Sequence, residues 1–143
     1  MNTSARFTIG EAAEASGVTA KMVRHYEAIG LIPAPRRSAG NYRTYGDRDV
    51  QTLRFIRRAR SLGFSTGEIA QLLSLWQNRR RSSRQVREIA SRHIDELDRK
   101  ISELESMRKT LQHLVGACHA DERPECPILD DLALDAPARS THA

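Results

Sequence analysis

The residues of this 143-residue chain with the clearest chemical potential are its two cysteines, Cys118 and Cys126. Their separation differs from the C-x-x-C pairs of zinc ribbons and thioredoxin-like sites, and spacing alone is equally consistent with two ordinary buried thiols. One pair cannot build a disulfide scaffold, a four-cysteine zinc site or an iron–sulfur cluster held by one chain. If the pair binds a metal, its soft thiolates favour a soft ion, and copper(I) is the one most available in cells.

The sequence shows no group of residues typical of an enzyme and no segment typical of a membrane protein. The sequence offers no nucleophile paired with a base, no phosphate-binding glycine loop and no open metal site, so we expect no enzymatic activity. No apolar run approaches the roughly 18 residues that span a bilayer, and the N-terminus lacks the apolar core of a signal peptide. These features predict a cytoplasmic protein without a membrane partner.

Arginine dominates the charge of the chain, with 20 Arg against 3 Lys, and planar guanidinium groups suit phosphate recognition. The formal net charge of +5 is unevenly distributed, because residues 1–80 carry +7 and residues 81–143 carry −2. Random scatter of surface charge is the alternative. The asymmetry predicts an N-terminal nucleic-acid module followed by a segment with another task.

Two short helices with a tight connection are predicted at the N-terminus. Thr8 and Glu11 form an S/T-x-x-E capping box for the first helix, which Gly17 ends. Thr19 caps the second helix, which Gly30 ends. The two together predict a helix-turn-helix.

A basic and aromatic hairpin is predicted next, over residues 36–45, with two short strands around a Ser-Ala-Gly-Asn turn. Its composition suits a wing that lies along a phosphate backbone, since guanidinium and phenol groups donate hydrogen bonds. The side chains concerned are Arg36, Arg37, Tyr42, Arg43 and Tyr45.

Two further helices complete the predicted N-terminal module. A third helix begins near Asp47 and ends at Gly63, and its inner face is predicted to be Val50, Leu53, Ile56 and Ala59. A second capping box, Ser65 with Glu68, starts a fourth helix. Its predicted buried stripe is Ile69, Leu72, Leu73 and Trp76.

A long helix is predicted over residues 83–115, and it carries about four heptads. Its apolar seam is expected to contain Ile94, Leu97, Ile101, Leu104 and Leu111. At 1.5 Å per residue it extends roughly 50 Å, too long for the small module before it to cover. We therefore expect a homodimer interface, with a single helix folded back on its own domain as the alternative.

Three segments carry a family resemblance: residues 23–32 (VRHYEAIGLI), 41–45 (NYRTY) and 63–69 (GFSTGEI). With them, about residues 7–132 closely resemble the MerR family of winged-helix transcription regulators. Residues 117–128 (ACHADERPECPI) look like the copper-efflux branch of that family, the CueR and HmrR type.

The resemblance implies a dimer whose recognition helices enter successive major grooves of double-stranded promoter DNA, between the elements that RNA polymerase recognises. Activation then comes from bending and untwisting that DNA. Carried over position by position, the DNA-binding residues are Lys21, Arg24 and Tyr26 in the recognition helix, Arg37, Tyr42 and Arg43 in the wing, and Arg60 in the third helix. Base reading falls to Lys21 and Arg24, and Tyr26 could equally lie partly in the core.

The resemblance also implies an antiparallel dimer in which the cysteine loop of one chain meets the start of the partner's long helix, at Ser83. Cys118 and Cys126 then bind copper(I), with silver(I) or gold(I) possible, and the helix N-terminus stabilises the anionic bis-thiolate site. Divalent-ion branches have cysteine where this chain has Ser83, which favours a monovalent ion. Ser83 is also a candidate N-cap.

Other interpretations remain open at this point. A divalent ion such as zinc could use both cysteines with His113 and His119. A regulator gated by redox or an organic ligand fits poorly, because the chain has two cysteines and about 28 residues after Val115. A helical adaptor without DNA leaves the basic wing unexplained.

The predicted fold is therefore mainly α, a winged helix-turn-helix followed by a long antiparallel coiled-coil helix and a metal-binding loop. The DNA-binding domain is predicted at residues 7–76, a linker at 77–82 and the dimerisation helix at 83–115. The metal-binding loop with a short C-terminal segment follows at 116–132, and a disordered tail is predicted at 133–143.

Overall fold

The computed structural model describes residues 6–118, 122 and 124–134, and the part it describes is mainly helical, as predicted. The strands are β1 (Arg6–Phe7), β2 (Arg36–Arg37) and β3 (Arg43–Gly46). The helices are α1 (Ile9–Ser16), α2 (Ala20–Ala28), α3 (Asp47–Ser61), α4 (Thr66–Gln77), α5 (Ser83–Ala117) and α6 (Pro127–Ala133). The chain divides into two compact units between Ala90 and Ser91. The prediction of a disordered tail from residue 133 is wrong for Ala133, which is the last residue of α6, and from residue 135 on the tail lies outside the described residues.

Both predicted capping boxes are confirmed. Thr8 Oγ1 accepts from the Glu11 amide at 3.1 Å, and the Glu11 carboxylate accepts from the Thr8 amide at 2.8 Å. Ser65 and Glu68 make the same reciprocal pair at 3.2 and 2.8 Å, and Thr19 caps α2. These bonds satisfy helix amides that have no partner within the helix, which fixes where each helix begins.

The core of the first unit is built from residues of α1, α2, α3, α4 and β3. The inner face predicted for α3 is confirmed, because every one of its four apolar residues is buried. Ile32 and Tyr45 are the bulkiest fully buried side chains outside the helices. Burial at a period of 3.6 residues leaves the arginines of α3 on the outer side.

The wing is the outer part of a three-stranded sheet of order β1-β3-β2, one strand more than predicted. β3 pairs antiparallel with β1, Arg6 opposite Gly46, and with β2, Arg36 opposite Thr44. The predicted turn is present, and Asn41 adopts a left-handed conformation (φ 68°) that asparagine tolerates better than most residues. The central strand β3 is thus held on both edges.

The buried stripe predicted for α4 is only partly right. Ile69 and Leu73 are buried, but Trp76 is 42% exposed. Its ring stacks on Phe55 with centroids 4.6 Å apart and 15° between planes. Trp76 lies in the last turn of α4, where Phe55 of α3 covers one face of the ring.

Helix α5 has 35 residues, so it is about 52 Å long. It continues two residues beyond the predicted end at Val115 and includes Gly116. The predicted seam is exposed in the single chain, together with Met107 and Val115. Among the described residues, no helix combines the length and apolar character needed to cross a bilayer.

Candidate DNA-binding surface and metal site

Helix α2 presents basic side chains on its outer side. Val23 and Tyr26 are buried, whereas Lys21 and Arg24, the residues expected to read bases, are exposed. This division follows from helical periodicity, which turns positions 21 and 24 away from the core. Both cationic side chains are therefore available to a ligand outside the domain.

Tyr26 is 4% exposed, so the structure favours the interpretation that this side chain lies in the core. Its phenolic oxygen accepts a hydrogen bond from Arg60 Nη1 at 2.9 Å. Arg60 is itself exposed. Tyr26 thus orients the guanidinium of Arg60, whose remaining N–H groups can donate to a phosphate.

The tip of the wing is the most exposed part of the basic region. Tyr42 is 74% exposed, and Arg37 is exposed beside it. Arg37 Nη1 donates to the carbonyl of Asn41 at 3.3 Å, while the Tyr42 amide donates to Ser38 Oγ at 3.2 Å. These bonds stabilise the turn and leave the Tyr42 ring free to contact a phosphate backbone.

At the root of the wing, Glu27 of α2 contacts two side chains of β3. The Arg43 Nε lies 3.2 Å from Glu27 Oε2 in an ion pair, and the Tyr45 hydroxyl donates to Glu27 Oε1. The Arg43 side chain is 36% exposed and that of Glu27 is 10% exposed. Arg43 is thus an oriented side chain rather than a freely moving one, and Glu27 was not among the predicted site residues.

The Tyr45 phenol stays protonated under ordinary conditions. Burial raises its pKa well above the usual value, and the hydrogen bond and negative charge of Glu27 act in the same direction. The positive charges of Arg43 and Arg24 act in the opposite sense but are outweighed.

Some arginines of α3 stabilise the fold. Arg54 donates from Nε and Nη2 to the carbonyl of Ala15, at 3.1 and 2.9 Å, near the C-terminus of α1. Gly17, with φ 78°, sits so close to Arg57 that a Cβ there would lie 3.0 Å from its Nε. A cation at a helix C-terminus also interacts favourably with the helix dipole.

The two cysteines are partly buried, free thiols of the second unit. Cys118 directly follows α5, and Cys126 is the N-cap of α6. The backbone amide of Leu129 lowers the pKa of the Cys126 thiol, and the Ile128 amide and the Cys118 thiol act in the same direction. Burial and the charge of Asp130 oppose the shift. These groups together favour a thiolate at Cys126.

Helix α6 was missing from the sequence interpretation, although the sequence contains a signal for it. Pro127 is the first residue of the helix, and Asp130 lies in its first turn, both typical of a helix start. Because proline has no N–H, the first amides available to the Cys126 sulfur are those of Ile128 and Leu129.

The other residues expected at the metal site have separate positions. Ser83 is the first residue of α5 and is exposed, but the N-cap role falls to Ser82, whose Oγ accepts from the Arg84 amide at 3.1 Å. His113 lies within α5, and His119 lies outside the described residues.

Comparison with known proteins agrees with this arrangement. Residues 7–76 match the MerR HTH family regulatory proteins, and residues 50–114 match the MerR DNA-binding family. The heavy metal-dependent transcription regulator 2 of Rhizobium meliloti (strain 1021) is 55% identical over 125 residues, 87% of this chain and 85% of that protein. HmrR of Sinorhizobium medicae (strain WSM419) is 54% identical over 133 residues, 93% of this chain and 90% of that protein.

More distant relatives cover similar lengths. CueR of Salmonella typhimurium (strain LT2) is 38% identical over 87% of this chain and 91% of that protein. The crystal structure of PbrR691 from Ralstonia metallidurans CH34 in complex with lead(II) is 36% identical and superimposes with a TM-score of 0.77, covering 89% of this chain and 99% of that one.

The fold and the sequence similarity together define a DNA-binding transcription regulator rather than an enzyme. The chain belongs to the MerR family, and its relatives include regulators named HmrR and CueR.

Proposed function

We propose that this chain is a copper(I)-responsive transcription regulator that acts as a homodimer on a promoter of copper-efflux or detoxification genes. The observation that carries the proposal is the pair of free, partly buried thiols, Cys118 directly after α5 and Cys126 at the start of α6. The names of the heavy metal-dependent and CueR relatives support a metal signal. The proposed domain boundaries are those given by the sequence: residues 7–76 for DNA, 83–115 for dimerisation and 116–132 for metal.

The thiol pair suits a soft monovalent ion. The Cys118 thiol and the backbone amides near Cys126 stabilise negative charge on the Cys126 sulfur. Metal binding requires deprotonated thiols, so this stabilisation lowers the cost of forming the site. Cys118 and Cys126 hold the ion, which is copper(I), while silver(I) and gold(I) share its preference for thiolates. Ser83 of the partner lies next to the site as a neutral neighbour.

The DNA surface consists of the exposed cations described above. Lys21 and Arg24 reach base edges, and the phosphate contacts come from Arg37, Tyr42, Arg43 and Arg60, the last oriented by Tyr26. Phosphate contacts fix the register of the protein on the duplex, and base contacts specify sequence. This surface binds between the promoter elements recognised by RNA polymerase, in the cytoplasm.

Dimerisation supplies the second half of the DNA surface. The apolar seam of α5 is exposed in the single chain, with Leu104 62% exposed, and an apolar stripe of this size needs a partner. Two copies of the seam pack as an antiparallel coiled coil. Binding of metal changes the distortion that the dimer imposes on the duplex. Bending a DNA site costs only about a few kcal/mol, so a small change in the dimer alters which distortion is favoured.

A divalent ion is the alternative signal. The observation that favours it is the lead(II) complex of the 36% identical PbrR691. The chain has only two cysteines, however, and a divalent ion prefers a site with more negative charge or additional nitrogen ligands.

The test of this function is transcription in vitro from the chain's own promoter with reduced protein and RNA polymerase. We expect activation with copper(I), silver(I) and gold(I), and little with zinc(II) or lead(II). Activation by zinc(II) or lead(II) without activation by copper(I) would show that the signal is a divalent ion.

The first prediction concerns Arg24→Ala, which removes an exposed cation of α2. We expect operator affinity to fall by about tenfold, as for loss of one base-reading side chain, with relaxed discrimination at one base pair. Binding is measured by footprint titration. Arg99→Ala on the outer side of α5 is the matched control, and it should bind like the wild type. If Arg24→Ala binds the operator as tightly as Arg99→Ala and the wild type, α2 is not part of the DNA-binding surface.

The second prediction concerns Ser83→Cys, which adds a thiol at the start of α5. A third soft ligand from the partner adds one negative charge on deprotonation, so the response should broaden toward zinc(II) or cadmium(II). Promoter output across a metal series measures this. Ser106→Cys adds a thiol elsewhere on α5 and should leave the series unchanged. An unaltered series for Ser83→Cys would place position 83 away from the ion.

A further inference from the structure

We infer that Glu27 is a positioning residue for DNA binding: its carboxylate fixes the wing relative to the recognition helix and orients Arg43 for phosphate. The inference rests on the proposed DNA-binding function. It adds to the DNA-binding surface a negatively charged residue, which phosphates would repel and which therefore acts through its neighbours.

The geometry at Glu27 joins two parts of the DNA surface. One carboxylate, 10% exposed, accepts from Arg43 Nε at 3.2 Å and from the Tyr45 hydroxyl. Residues 43 and 45 are two positions apart in β3, and side chains two positions apart in a strand point to the same face. A single side chain of α2 therefore holds this side of β3 at two points.

The opposite side of the strand is held by the rest of the sheet. The Thr44 hydroxyl donates to the Arg36 carbonyl at 3.1 Å, and Arg6 Nη2 donates to the Thr44 carbonyl at 2.8 Å. β3 is thus tied to β1 and β2 through Thr44 and to α2 through Glu27. Loss of Glu27 frees only the attachment to the recognition helix.

The bond to Arg43 orients a phosphate donor. It uses Nε, and a guanidinium has four further N–H donors in a fixed plane. Holding Nε therefore fixes the direction of the remaining donors. Because Arg43 is more than one-third exposed, those donors remain within reach of a duplex.

Positioning and simple electrostatics predict opposite results for Glu27→Gln. Removing a negative charge near DNA strengthens binding if charge alone matters. If Glu27 positions the wing, operator affinity falls instead, by about tenfold, the effect of one charge-assisted hydrogen bond. Affinity for a random-sequence duplex should not fall and should rise modestly, because that binding depends on charge more than on register and the variant lacks one negative charge.

The experiment uses the full-length dimer and an operator duplex selected on the wild-type protein. Glu14→Gln removes an exposed negative charge of α1 as the matched control, and its operator affinity should stay within about twofold of the wild type. Hydroxyl-radical footprints of Glu27→Gln should lose protection of the backbone contacted by the wing. Protection of guanine N7 in the major groove, measured by methylation, should persist. In an Arg43→Ala background, the effect of Glu27→Gln should shrink, because the shared contact is already gone.

Tyr45→Phe provides a second variant that keeps the buried ring and removes only the hydroxyl, and it should lower operator affinity by about threefold. Folded Glu27→Gln and Tyr45→Phe proteins that bind the operator as tightly as the wild type, or more tightly, would overturn the inference. A wild-type protein that selects no operator at all would instead overturn the proposed DNA-binding function.

Discussion

Leu104→Asp is expected to convert the protein to a monomer and to abolish binding to a palindromic operator. The substitution places a carboxylate in the middle of the exposed apolar stripe of α5, where Leu104 is 62% exposed in the single chain. A dimer loses two buried leucines, about 2 kcal/mol each, and buries two unpaired charges. The dimer dissociation constant should therefore rise by a thousandfold or so. Analytical ultracentrifugation measures the change directly.

Ser106→Asp is the control for this variant, because Ser106 lies on the same helix away from the seam. It should remain a dimer and bind the operator normally. A Leu104→Asp protein that stays dimeric, or a monomer that still protects both half-sites, would contradict the proposed dimer interface.

Cys118→Ser and Cys126→Ser are each expected to eliminate copper(I) activation while leaving operator binding intact. Each removes one of the two thiols in the chain, and a hydroxyl is a poor ligand for a soft ion. Copper(I) affinity should fall by about a hundredfold or more. The basic residues proposed to contact DNA lie in the first unit, whereas both cysteines lie in the second. Promoter output and footprint titration of the same samples measure the two functions separately.

His113→Ala is the matched control, because this residue belongs only to the alternative site with two cysteines and two histidines. It should respond to copper(I) like the wild type. If Cys126→Ser still responds normally, the thiol pair is not the sensor. If His113→Ala fails to respond, the sensor is the alternative site with two cysteines and two histidines.

The elements predicted correctly from the sequence are those specified by neighbours in the chain. The capping boxes at Thr8 and Ser65 need only a serine or threonine and a glutamate three residues later. The buried face of α3 follows from a regular apolar period over 15 residues. Hydrogen bonds between near neighbours in the chain and apolar periodicity were sufficient to predict these elements.

The missed elements depend on partners far along the chain or are too short to show a period. β1 has two residues and exists because β3 pairs with it almost 40 positions later. α6 has seven residues, and its proline was interpreted as part of a loop. Glu27 was not predicted as a site residue, because its contacts are with Arg43 and Tyr45 of the wing, 16 and 18 positions later in the chain.

Equilibrium dialysis of the reduced wild-type protein against copper(I) and, separately, zinc(II) tests the proposed signal directly. A soluble thiol competitor buffers free copper(I), and the bound ions are counted per protomer. We expect about one copper(I) per protomer, held tightly, and weak binding of zinc(II), because two thiolates suit a soft monovalent ion. Tight zinc(II) with weak copper(I) would contradict the copper(I) assignment and establish the divalent alternative.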